Sequence, residues 1–82
     1  MVTGEAQAML KGTREGIVKH VQPVSIHGQI SLDVHFARVE DPDGQMEVAR
    51  LGPEAVAPDL EPGDRISVDY LLGVATNVRR SK

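Results

Sequence analysis

From Thr13 onward, apolar residues recur at every second position in short runs, and Pro or Gly cuts each run. Period two is the repeat of a half-buried strand. A helix repeats every 3.6 residues and cannot keep such a stripe on one side. The run RISVDYLL at 65–72 shows the pattern most plainly, with Ile66, Val68, Tyr70 and Leu72 on one side and Arg65, Ser67, Asp69 and Leu71 on the other. Four further runs follow the same rule: TREGIVKHV, ISLDVHFARV, QMEVARL and VATNVRR. Turn chemistry separates them. His27-Gly28 and Gly73 interrupt two pairs of runs, and DPDG at 41–44 has the Pro and Gly placement of a type I turn. Between the third and fourth runs, Pro53, Pro58 and Pro62 rule out a central strand. Pro53 and Glu54 allow a short helix, PEAVA, which Pro58 would end.

The predicted order is strand, strand, strand, short helix, strand, strand. That order specifies an all-β fold, a small five-stranded OB-like barrel, with an SH3-like barrel as the alternative. A long first strand would have to bend between the two halves of the barrel, and Gly16 and Pro23 suit that bend. The alternation predicts a core of Ile17, Val18, Val21, Ile30, Leu32, Val34, Phe36, Met46, Val48, Ile66, Val68, Tyr70, Leu72 and Val78. Residues 1–12, with the helix formers EAQAML between Gly4 and Gly12, are expected to form an N-terminal arm. Residues 13–82 are expected to form a single barrel domain.

EGIV at 15–18, LEPGDRISV at 60–68 and VATNVRR at 74–80 give the chain a general resemblance to small single-domain OB-fold proteins. Bacterial translation initiation factor one and the primosomal replication protein of the OB type have the same rhythm. The likeness spans about residues 13 to 80 and is one of barrel grammar. It implies a binding surface on the second and third strands and the loops beside them, a place where OB barrels hold oligonucleotides or oligosaccharides. The small hydrogenase-maturation chaperones also have a P-G-D-like turn before a strand, but they depend on an N-terminal cysteine and this chain has no cysteine.

Composition narrows the function classes. Nine Lys and Arg face twelve Asp and Glu, so the basic excess of a duplex-DNA binder is missing. Phe36 and Tyr70 are the whole aromatic set, which leaves little for stacking bases. With no cysteine there is no disulfide and no thiolate metal site. No apolar run reaches the ~18 residues of a membrane helix, and MVTGEAQAMLKGTREG lacks a signal-peptide pattern. A cytoplasmic location without membrane contact is therefore expected.

GxxxxGK[ST] and GxSxG are absent, and Ser25, Ser31 and Ser67 lack an evident base partner, so the chain is not expected to be an enzyme. His20, His27 and His35 have no helical i, i+4 spacing, and neither a metal nor another cofactor is expected. Two binding modes remain. Lys19, His20, His35, Arg38 and Arg50, with Arg79, Arg80 and Lys82 from the basic tail, could line a path for single-stranded DNA or RNA. Ala49, Leu51 and Leu71 have outward parity and could instead meet another protein or a second copy of the chain.

Overall fold

The computed structural model describes residues 11–81. Five strands form one antiparallel sheet: β1 (Lys11–Ile26), β2 (Gln29–Arg38), β3 (Met46–Leu51), β4 (Arg65–Leu71) and β5 (Val74–Arg80). Their order across the sheet is β3-β2-β1-β4-β5. The all-β expectation holds, with five strands, while the sheet stays unclosed between β3 and β5. Lys11 and Gly12 belong to β1. The rest of the proposed N-terminal arm lies outside the described residues.

The sheet curls around a core of Val18, Val34, Phe36, Ala49, Val56, Ile66, Val68 and Val78. β1 serves both halves: its first part pairs with β4 and its remainder with β2 alone. Pro23 sits in the part with one neighbour, where its missing N–H leaves no central ladder broken. The register shift in β1 lies between Val18 and His20 and leaves Lys19 as the extra residue. That bulge lets Val18 and Val21, three positions apart, face the same interior.

The connections behave as their residues dictate. Gly44 N–H donates to the Asp41 carbonyl at 3.0 Å, closing the DPDG turn. Asp64 N–H donates to the Glu61 carbonyl at 3.0 Å, and Gly63 has φ +97°, as a type II turn with Pro62 before it requires. The expected PEAVA helix is shorter, a single 3₁₀ turn over Pro53–Ala55. Val56 then extends, is buried, and makes a parallel bridge to Val78 of β5. This segment covers part of the open seam.

The inward row of β3 is opposite to the predicted one. Met46 and Val48, assigned to the core, are 52% and 54% exposed, whereas Ala49 is buried and Leu51 half-buried against the core. Ala49 and Leu51 therefore do not project outward. MEVARL alternates equally well in both registers, and charge decides between them. Facing Met46 and Val48 inward would also turn Arg50 inward. The observed register instead places Glu47 at the end of the inner row, beside arginines, and leaves Arg50 outside. Ile30 and Leu72 also leave the predicted core: Ile30 lies beside the β1–β2 turn and Leu72 occupies the β4–β5 turn, both exposed.

Candidate binding surfaces

The sequence-predicted cations separate into distinct places. His20 and His35 are direct cross-strand partners, with ring centroids 5.4 Å apart. Lys19 stands beside them on the bulge, exposed. Val48 pairs with His35 from the other side, so an imidazole pair and an exposed valine share the outer face of β1–β2–β3. The Nε2 atom of His35 is buried and finds no hydrogen-bond partner among the described residues. One step along this face, Arg50 holds Asp33 through two hydrogen bonds of 2.7 and 2.9 Å. This fork explains why Asp33, an outward residue, is buried.

Arg38 is elsewhere. It shares the parity of Val34 and Phe36 and ends the strand at the mouth of the sheet, where its Nε donates to Glu47 at 2.9 Å. Arg14 donates to the other oxygen of the same carboxylate at 2.6 Å. The Arg14 guanidinium also lies 5.4 Å from the Tyr70 ring centroid. A groove of about 510 Å³ opens beside this cluster, lined in part by Lys11, Gly12, Arg14, Val48 and Tyr70. Arg79 grips Asp69 with two bonds of 2.9 Å, and Arg80 bonds Asp64 at 2.8 Å and the Pro58 carbonyl at 2.6 Å. Lys82 lies outside the described residues.

Carboxylates thus hold Arg38, Arg50, Arg79 and Arg80. These pairs leave their mark on titration. Hydrogen bonds from Arg79, helped by Thr13 and Asn77, hold the Asp69 carboxyl far below its ordinary range. Arg50 lowers Asp33, and the Ser67 and Ser81 hydroxyls lower Glu15. The Glu61 backbone N–H and then Arg80 lower Asp64. Burial pushes Glu47 upward, but hydrogen bonds from Arg38 and Arg14 outweigh it and leave the carboxyl lowered. Burial raises the Tyr70 phenol, which stays protonated.

A depressed carboxyl contributes stability above its unfolded value and loses it as pH falls through its folded value. Stability to urea should therefore stay level near neutrality and decline as pH drops below about 4. Asp69→Asn should flatten part of that slope. An identical slope in this variant would mean that the Asp69 cluster contributes nothing.

The β4–β5 turn is a feature that alternation alone could not place. Leu71 pairs with Val74 across a two-residue loop, Leu72-Gly73, with φ +54° and +79°. Both central residues in the left-handed region define a type I′ turn, which favours Asn-Gly. The β1–β2 hairpin uses the same geometry with His27-Gly28, at φ +52° and +79°. Leucine has no short polar side chain to ease this conformation, and a non-glycine residue there is strained by roughly 1–2 kcal/mol. Leu72 gains no burial in return, being 66% exposed beside exposed Leu71 and Val74. Leu72→Asn should raise the unfolding free energy by about 0.5–1 kcal/mol, measured by urea denaturation. A loss of stability would contradict the strain assigned to this turn.

No protein-family model matches the chain, and no match is found among curated proteins or solved structures.

Proposed function

We propose that this chain is a small, non-enzymatic module with an OB-type barrel, and that it works by binding another protein. Three features support the barrel: strand order β3-β2-β1-β4-β5, a long β1 shared between both halves, and a parallel bridge returning the chain to β5 beyond β3. One observation carries the protein-binding reading. Carboxylates of this chain already engage Arg38, Arg50, Arg79 and Arg80, while Met46, Val48, Leu71, Leu72 and Val74 stand exposed. Phosphates would have to compete for occupied arginines, whereas an apolar partner meets free surface.

Single-stranded nucleic acid is the second reading. The cross-strand pair His20–His35, beside Lys19 on the outer face, favours it. Imidazole rings can stack on unpaired bases, and the β2–β3 face is a common ligand surface of OB barrels.

Salt separates the two. Co-precipitation of a tagged chain with its protein partner should survive raised salt and fail for Leu72→Asp or Val48→Asp. Fluorescence anisotropy of a labelled thirty-nucleotide strand, DNA and RNA, should show no saturable binding even at low salt. Saturable binding that weakens steeply with salt and depends on Lys19 would replace the protein reading with the nucleic-acid one.

A further inference from the structure

We infer that the protein partner places a carboxylate in the groove at the mouth of the sheet, on the unused side of the Arg14 guanidinium. This rests on the protein-binding reading and names the group that the partner presents.

Four residues meet there on one face. Glu47 pairs with buried Phe36, and Arg14 pairs with buried Val68, so both have inward parity. Gly12 and Tyr70 pair with each other two positions further along the same two strands. All four therefore share the concave side, and all four line the groove of about 510 Å³. Lys11 and Val48, of opposite parity, also line it.

Arg14 differs from the other paired arginines. Arg50 and Arg79 each give two nitrogens to both oxygens of one carboxylate. Arg80 gives its two terminal nitrogens to Asp64 and the Pro58 carbonyl. Those forks are filled. Glu47 instead divides its oxygens, accepting from Arg14 Nη1 at 2.6 Å and from Arg38 Nε at 2.9 Å. Among the described residues, Nε and Nη2 of Arg14 have no acceptor. The guanidinium is nevertheless positioned, by Glu47 at one end and by the Tyr70 ring 5.4 Å away. The Tyr70 hydroxyl, kept protonated by burial, is a further donor with no hydrogen bond among the described residues. Gly12 leaves the space beside this ring open, since nothing stands within 4 Å of where its Cβ would be.

Charge selects the occupant. Two arginines share the single charge of Glu47. Glu40 and Asp41 lie on the Arg38 side and Lys11 on the Arg14 side, so the positive surplus falls at the groove. A carboxylate matches the planar fork with two oxygens. Its single charge also meets less repulsion from Glu47 than a doubly charged phosphate would. Exposed Val48 flanks the site, so a partner segment that carries an acidic residue between aliphatic ones reaches both.

The test is an NMR titration of the isotope-labelled full chain at neutral pH and low salt. The probes are acetyl-Val-Glu-Val-amide, its Gln counterpart and inorganic phosphate. The Glu probe should bind saturably, with shifts centred on the amides of Gly12, Arg14 and Tyr70. The neutral Gln probe should bind about tenfold or more weakly. Arg14→Lys keeps the charge but lacks the fork, and should weaken the Glu probe about fivefold or more. Tyr70→Phe keeps the ring under the guanidinium and removes only the hydroxyl, so it serves if Arg14→Lys fails to fold. It should weaken the Glu probe about threefold or more. Arg50→Lys should change nothing, because Asp33 fills that fork.

A Glu probe that binds no better than the Gln probe, or equally well to both groove variants, overturns the inference. So does phosphate that binds more tightly than the Glu probe at the same amides. If the probes fail while co-precipitation of a protein still depends on Val48, the protein-binding reading stands and only the carboxylate is wrong. If that dependence is absent as well, both fail.

Discussion

Phe36→Ala is expected to lower the unfolding free energy by about 3–5 kcal/mol, the range for truncating a buried aromatic side chain. Phe36 is the largest of the fully buried side chains and pairs across the sheet with Val18 on one side and Glu47 on the other. Its ring fills the space that a side chain at Gly16 would otherwise occupy. Removing the ring leaves a void that relaxes poorly, because strands on both sides fix the backbone. Domains are stable by only about 0.05–0.15 kcal/mol per residue, so such a loss takes a large share of the total. Urea denaturation of both proteins at neutral pH measures it through the shift in midpoint. A change below about 1 kcal/mol would show that the sheet collapses to refill the site, which would contradict the packing described.

Gly16→Ala should be destabilising by about 1–3 kcal/mol for the complementary reason, too much volume instead of too little. A methyl group there would stand 2.5 Å from Phe36 Cδ2 and 3.1 Å from the Ala37 carbonyl oxygen. The ring is fully buried and the carbonyl is backbone, so neither has an easy retreat. The two sites should therefore couple. Introduced into a Phe36→Leu background, Gly16→Ala should have a clearly smaller penalty, with an interaction energy of about 1 kcal/mol in the double-mutant cycle. Simple additivity would show that the glycine and the ring do not compete for one space. Phe36→Leu is preferred to Phe36→Ala here because the single variant must remain folded well enough to measure.

The candidate surfaces differ from these core positions in how far a linear reading could reach them. Lys19, His20 and His35 were visible as outward polar residues, and the pairing of His20 with His35 follows from hairpin geometry once the His27-Gly28 turn is fixed. The interleaving of Arg38 and Arg50 with Glu47 and Asp33 was visible too, but the partners of Arg14, Arg79 and Arg80 were not. Arg79 meets Asp69 and Arg80 meets Asp64 because β5 folds back on β4, and Arg14 meets Glu47 although 33 positions separate them. Arg79 and Arg80 of the basic tail thus become neutralised pairs in the fold. The strained turn at Leu72 was hidden for another reason. LLG continues the apolar alternation of the strand, and only the pairing of Leu71 with Val74 reveals that Leu72 lies in the loop.

Sequence alone determined the strand content, the placement of the DPDG and Pro62-Gly63 turns, and most of the inward rows of β2 and β4. In each case the physics is local: a period-two stripe, a proline that fixes φ, a glycine that tolerates positive φ. Tertiary structure decided what local chemistry leaves degenerate. It chose between the two faces of MEVARL, placed the bulge at Lys19, brought Val56 to Val78, and gave five arginines carboxylate partners. Register is a one-residue choice that inverts a whole strand. What settles it is whether a charge such as Glu47 or Arg50 finds its counter-charge or water, and that depends on strands far away in the chain.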